Sequence, residues 1–497
     1  MPEPSTRSLT DFAVPALIAL HLVVWTLVPS LVNPNLPLDV IEGLFWGQAW
    51  QLGYEKHPPV MPWLLEGFMA LAPGQDWPAY LLSALSVSVA FWALWRLARD
   101  FLQPAAAALS VLLLEGVYYH NFTIPEFNPN VLQLPFWALS VLCLWRGLSS
   151  GSILLWGLFG LFGALGILTK YFTVFLIMAL GAFLVFDRAG RAAWRTPGPY
   201  VAMSVGLAVL APHLIWMLLH DFPTVSYALQ RSGALTDSAF VRHVGYPAKF
   251  LLAQILAALA LVVLLFALGR PRWSPRIDGR QARFLLAAAV GPLILVLIVS
   301  AVFGLRLRSM WGAPIPVFAG LLAFAFFQPP QWNLRRFARV WAGVFLLAPA
   351  LYLTLAIGQP YFASKGKRVH FPGRALAQEV ETLWQARFDE PLRIVIGDTW
   401  VGGNVAAYAS VRPEVYIDGN PARSAWLDDA LVRQQGAVVV WQDRTDQGQP
   451  SEPYGVAGRF ACLEPAAPIT LSWDTGAELP PLRFGLAFIA PAAQCPG

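Results

Sequence analysis

Asp39 and Glu42 lie one turn apart on a segment with helical patterning, and the chain then reads Gly-Tyr-Glu-Lys-His-Pro-Pro from Gly53 to Pro59. These residue types suit acid–base chemistry beside an anion. A carboxylate can take the proton of an attacking hydroxyl. A lysine can neutralise negative charge that develops on a departing group. Asp39, Glu42, Glu55, Lys56 and His57 are therefore the first candidates for a site. Plainer readings compete with each. Asp39 also suits a helix cap, worth about 1 kcal/mol. Glu55 and Lys56 also suit a solvated loop pair, worth under about 1 kcal/mol. His57 also suits packing in a wet aromatic pocket. A second set of polar residues stands further on: Tyr118, Glu126 and Asn128 in "YYHNFTIPEFNPN", Lys170 between two apolar runs, and Arg308. Lys170 is a functional candidate because ionisable groups at a membrane boundary are costly; snorkelling to the interface is its bland explanation.

The elements that must position these groups follow from the pattern around them. Pro37 and Asp39 predict a helix start, and Asp39 to Trp50 predicts a helix lying in the membrane interface. Val40, Leu44, Trp46 and Trp50 would face lipid, with tryptophan at headgroup level. Pro58 and Pro59 force the residues before them into extended forms. A second short helix is expected from Pro59 to about Ala72.

The rest of the chain explains why such a loop sits among apolar segments. Of 497 residues, 57% are hydrophobic and 13% charged, about half the charge of an ordinary soluble domain, roughly 25%. About eleven apolar runs are long enough to span a bilayer: 11–32, 79–97, 104–121, 129–147, 152–168, 171–187, 199–218, 247–269, 284–303, 312–328 and 340–357. The first lacks a basic leader and a cleavage site, and reads as a retained helix. Arginines cluster in alternate connections, at Arg96 and Arg99, Arg146, Arg188 to Arg195, Arg270 to Arg283 and Arg335 to Arg339. By the positive-inside rule these connections and the N-terminus are cytoplasmic. The formal charge of +5 is then a topology signal, and nucleic acid is not needed as a partner.

The fold class is thus a polytopic α-helical membrane protein of about eleven transmembrane helices, with interfacial helices in the first external loop (33–78). Residues 1–357 form the membrane module. Residues 358–497 change character: "LRIVIGD", "EVYIDG" and "GAVVVWQ" alternate with helical stretches, which predicts a small α/β domain. An odd number of spans places it outside, in a periplasm, with the module in the bacterial inner membrane. Of three cysteines, Cys143 lies in a span, while Cys462 and Cys495 lie in the external tail and could pair in an oxidising compartment. "GDTWVGGN" (Gly397 to Asn404) lacks the full dinucleotide fingerprint.

An acidic pair after the first span, a Trp-rich helix, then "GYEKHPP" and a tryptophan together resemble the GT-C superfamily of membrane glycosyltransferases. The resemblance is nearest to the lipid A aminoarabinose and galacturonic acid transferases and the protein O-mannosyltransferases. "EFNPNVLQLPFWALSVLCLWR", "GILTKYFTVFL" and "RSMWGAPIPVFAGLL" are similar to later loops and spans of that superfamily. The resemblance implies an inverting transfer from a sugar on a polyprenyl (undecaprenyl) phosphate to an external glycolipid such as lipid A or another glycan, with membrane lipids as surroundings. Asp39 would be the base. Glu42 stays open for that role, because "DVIE" separates two acids that many relatives have adjacent. Lys56 would meet the donor phosphate. Glu55 would touch acceptor or a divalent metal ion, with Asp39 as the other candidate ligand. His57, which interrupts the family's Glu-Lys-Pro pattern, Lys170, Glu126, Asn128, Tyr118 and Arg308 would line the substrate site. Two readings of other classes stand beside this one. A secondary transporter would show repeats and midplane charges, and no repeat is visible. A non-catalytic envelope assembly factor would tolerate changes at Asp39.

Overall fold

The computed structural model describes residues 4–233, 237–444 and 453–495, with side chains from residue 12 onward. The chain divides into two compact units. One comprises Met1–Leu27 and Tyr80–Leu351, the other Val28–Ala79 and Tyr352–Gly497.

The first unit is helical. Most of the apolar runs lie in helix, and the run at 312–328 ends in a two-residue strand, Phe327–Gln328. Among the described residues, six helices are long and apolar enough to cross a membrane: Phe12–Val32, Trp77–Phe101, Pro129–Ser150, Gly198–Leu219, Ser309–Phe326 and Leu334–Tyr361. The number rises to eight if each of two bent pairs, Val241–Ala257 with Leu259–Leu268 and Gly279–Ala289 with Gly291–Phe303, is one span. The runs at 104–121, 152–168 and 171–187 form shorter apolar helices, Pro104–Gly116, Ile153–Thr169 and Tyr171–Phe186. Lys170 separates the last two with an extended backbone. Helix Ile153–Thr169 packs between Pro129–Ser150 and Gly198–Leu219. The approach is close enough that a Cβ at Gly160 would overlap the carbonyl of Ala202. Small residues bring backbones together in this way where lipid offers no hydrophobic drive.

The second unit holds a five-stranded sheet. Its strands are β1 (Ile394–Gly397), β2 (Glu414–Ile417), β3 (Ala437–Gln442), β4 (Leu463–Leu471) and β5 (Leu482–Ile489). Their order is β2-β1-β3-β5-β4. β1 runs parallel to β2 and β3, while β5 runs antiparallel to β3 and β4. The helices are α1 (Leu38–Ala49), α2 (Val60–Met69), α3 (Gly373–Gln385), α4 (Val401–Tyr408) and α5 (Asp429–Gln435).

Period-2 alternation assigns the two faces of the sheet. Val395, Val438 and Val440 pack with Leu376, Val380 and Trp384 of α3 and Val401 and Val405 of α4. Ile394, Ile396 and Val439 pack with Val432 of α5. Pro465 and Pro468 fall on edge strand β4, where a missing amide donor costs no ladder bond. Cys462 and Cys495 form a disulfide with Cα atoms 5.8 Å apart.

The unit boundary does not follow the division at 357/358 drawn from sequence. The first external loop packs with the tail. Phe45 and Trp46 of α1 and Tyr54 share a cluster with Ala406 of α4 and Val415 and Ile417 of β2. The orientation expected for α1 is also corrected. Val40, Leu44 and Trp46 are buried inside the protein rather than turned to lipid, and Trp50 alone of the four is exposed. α1 is apolar around most of its circumference, and such a helix is better covered by protein on several sides than laid on a membrane surface. Charge reinforces the union. Arg412 grips Glu66 with two bonds of 2.8 and 2.9 Å, and Arg374 pairs with Asp76 at 2.8 Å.

Candidate active site

Helix α1 begins at Leu38, and its N-cap, Pro37, has no side-chain bond to give. Asp39 therefore stands inside the first turn rather than at the cap, half-buried. Glu42 follows one turn on and is buried.

The 53–59 segment brings the next groups to α1. The amide of Tyr54 donates to the carbonyl of His57 at 3.1 Å, closing the short loop that carries Glu55 and Lys56. The Tyr54 hydroxyl donates to the carbonyl of Trp46 at 2.6 Å and pins that loop to α1. The Lys56 ammonium donates to Glu42 Oε1 at 2.5 Å and lies 4.0 Å from Glu55 Oε1. It also stands over the Trp46 ring, 5.9 Å from its centroid. His57 meets the same ring edge-on at 6.2 Å, which matches its aromatic-pocket reading.

The tail completes the cluster. Arg423 donates from Nε to Glu55 Oε2 at 2.6 Å and from a terminal nitrogen to Glu55 Oε1 at 2.8 Å. The Asp418 carboxylate pairs with its remaining terminal nitrogen. The result is an alternating row: Asp418, Arg423, Glu55, Lys56, Glu42. Arg423 and Asp418 were missed from sequence. A signal was present in "EVYIDGNP", because ligand chemistry gathers at the carboxyl ends of parallel strands. "GDTWVGGN" proves to be a self-capped turn: Asp398 accepts from the amides of Trp400 and Val401 at 2.8 and 2.6 Å. That carboxylate occupies the start of α4, where a nucleotide phosphate would bind.

Burial pushes the Glu42 carboxyl up to about 7, with the charges of Asp39 and Glu55 adding to the rise and Lys56 opposing it. Burial also raises Asp76, against Arg374, and Asp418, against Arg423. A carboxyl that binds its proton more tightly folded than unfolded stabilises the fold at low pH. That contribution is complete below the ordinary glutamate value of 4.5 and is lost as pH rises through about 7. Thermal unfolding in detergent should therefore give a midpoint that falls over this window. Glu42→Gln should flatten the fall, and an unchanged slope would show that Glu42 does not carry it.

Both Glu55 oxygens are engaged by Arg423. Among the described residues no group of three or more His, Cys, Asp or Glu could hold a metal ion.

The remaining candidates lie in the helical unit. Asn128 caps helix Pro129–Ser150, accepting from the amides of Asn130 and Val131 at 2.9 and 3.3 Å. Lys170 donates to Asn130 Oδ1 at 2.5 Å and stands over Trp311, 5.3 Å from its centroid. Glu126 is half-buried beside the Asn128 cap. Tyr118 is exposed and stacks on Phe122. Arg308 is half-buried. Burial, with the like charges of Arg231 and Arg306, lowers the affinity of its guanidinium for its proton.

The family model described as dolichyl-phosphate-mannose-protein mannosyltransferase matches residues 56–216, beginning at Lys56. The lipopolysaccharide core galacturonosyltransferase RgtA of Rhizobium johnstonii is 24% identical over 89% of this chain and 89% of its own. The lipid A galacturonosyltransferase RgtD of the same organism is 28% identical over 42% of this chain and 45% of its own. The crystal structure of ArnT from Cupriavidus metallidurans bound to undecaprenyl phosphate superposes with a TM-score of 0.63. That alignment covers 97% of this chain and 99% of ArnT, at 15% identity. The chain is a membrane glycosyltransferase, and it shares the fold of ArnT. The transporter and assembly-factor readings give way to an enzyme, and the fold is that of a multi-pass helical membrane protein.

Proposed function

We propose that this transferase moves a sugar from a polyprenyl phosphate to a lipid A or lipopolysaccharide-core acceptor on the periplasmic face of the inner membrane, with its N-terminus cytoplasmic. A hexuronic acid is the sugar class favoured by the relatives, which are named as galacturonosyltransferases. The observation that carries the reading is Lys56, whose ammonium is set between Glu42 and Glu55 on a half-buried loop beside Asp39. An acceptor hydroxyl oxygen attacks the anomeric carbon and gives its proton to Asp39. The bond from that carbon to the phosphate oxygen breaks, and the electron pair leaves with the phosphate. Lys56 neutralises the charge that appears there. The products are an inverted glycosidic bond and free polyprenyl phosphate.

The test is mass spectrometry of lipid A and core oligosaccharide from cells carrying wild type, a deletion, or Asp39→Asn. A hexuronic acid present only with wild type is the expected result. A different sugar lost on deletion would keep the transferase and replace the sugar class. Unchanged glycans in all three strains would overturn the reading.

A further inference from the structure

Four arginines gather at one end of the helical unit, on segments that are tied to one another. The amide of Arg306 donates to the carbonyl of Ser232 at 3.0 Å, which joins the turn at 304–308 to the end of helix Pro223–Ser232, beside Arg231. Gly304 takes a left-handed conformation, φ 63°, and a Cβ there would stand 3.1 Å from Nε of Arg242, so this guanidinium packs against the glycine. His243 fixes the segment of Arg242 by donating from Nδ1 to the carbonyl of Ala301 at 2.6 Å. Arg308 precedes a turn whose Ser309 carbonyl accepts from the Tyr119 hydroxyl and the Gln254 amide, both at 2.9 Å. The charges of Arg231 and Arg306 bear on Arg308, and those of Arg242 and Arg306 bear on Tyr246. Arg231 and Arg306 are exposed, while Arg242 and Arg308 are half-buried.

Counter-charge is scarce here. Between Arg231 and Arg242, and between Gly304 and Arg308, the sequence holds one acid, Asp237. Its carboxylate already accepts from the Tyr246 hydroxyl. Among the described residues none of the four guanidinium groups forms an ion pair. Nε of Arg242 and Nε of Arg308 are each buried without a hydrogen-bond partner. A buried donor without an acceptor is costly, and like charges repel. One anion with several oxygens relieves both costs. A phosphate monoester carries about two negative charges near neutral pH and three acceptor oxygens, and guanidinium forks match those oxygens. We propose that Arg231, Arg242, Arg306 and Arg308 bind a phosphate monoester of the acceptor glycolipid, and so hold lipid A at this end of the helical unit. The site draws on none of the first-loop groups, which belong to the other unit. It rests on the acceptor class proposed above.

The test is binding of three lipids to the full-length protein in nanodiscs: bisphosphorylated lipid A, the same lipid A stripped of its phosphates, and undecaprenyl phosphate. Wild type is compared with Arg231→Gln, Arg306→Gln and Arg308→Gln. Wild type should hold the phosphorylated lipid A about tenfold or more tighter than the stripped form. Each variant should weaken binding of the phosphorylated form about tenfold, the loss of one hydrogen bond to a charged group. Binding of the stripped form and of undecaprenyl phosphate should stay within about threefold, below the worth of such a bond. A merely structural role would weaken both forms of lipid A alike, and that result overturns the proposal. So does a tenfold loss confined to undecaprenyl phosphate, which would assign the arginines to the donor. Displacement of lipid A by an equal amount of phosphatidylglycerol would reduce the cluster to a general headgroup contact and equally overturn it. Should Arg308→Gln fail to fold, the exposed positions Arg231 and Arg306 carry the test, because a surface substitution there removes charge without opening a core. Wild type that binds neither form of lipid A would overturn the acceptor class itself, and this site with it.

Discussion

Asp39→Asn is expected to lower kcat about 10²- to 10⁴-fold, with KM for the donor within about threefold of wild type, because a general base acts in the transition state and not in ground-state binding. The two acids that the sequence left as alternatives differ in their surroundings. Glu42 is buried, joined to Lys56 at 2.5 Å, and its carboxyl is pushed up to about 7. Its oxygen is committed to holding the ammonium. Asp39 sits half-buried in the first turn of α1. Single-turnover rates of Asp39→Asn and Glu42→Gln with a polyprenyl-phosphate-linked uronic acid separate the two roles. A larger kcat loss in Glu42→Gln would transfer the base to Glu42.

Lys56→Met should reduce kcat/KM about 10²- to 10³-fold, the usual consequence of deleting one donor aimed at developing negative charge. Part of the loss should appear in donor KM, since the phosphate is already charged before transfer begins. Methionine keeps an unbranched apolar stem and removes the ammonium, and with it the contact over the Trp46 ring. The variant also leaves Glu42 buried without its cation, and the protein should bind a proton there at higher pH than wild type. Steady-state kinetics with the donor varied, alongside a thermal midpoint, distinguish lost chemistry from lost folding. Loss of less than about threefold in kcat/KM would remove Lys56 from the donor site.

The fate of α1 shows how far periodicity reaches. Its helical span is visible from the proline start and the apolar spacing, because both are local properties of the backbone. Which surface covers it is a different question. Val40, Leu44 and Trp46 are equally suited to lipid and to a protein interior, since both are apolar solvents. For Trp46 it is packing with Val415, Ile417 and Ala406 that decides for protein. The strands of the tail were legible for the same local reason, being short β-branched runs between turn residues.

By itself the sequence determined the class of protein, the apolar helices, the alternating α/β tail and the five chemical groups on the first loop. Each follows from composition, from a period of two or 3.6, or from residues close together in the chain. Tertiary structure alone decided which charges face one another. Glu55 meets Arg423 across 368 residues and Glu66 meets Arg412 across 346. An ion pair at that separation leaves no periodic trace, because any of the chain's 34 lysines and arginines could satisfy a given acid. The fold chooses by burial: a half-buried carboxylate is stable only where a cation is held against it, and the loop after β2 holds Arg423 in that place.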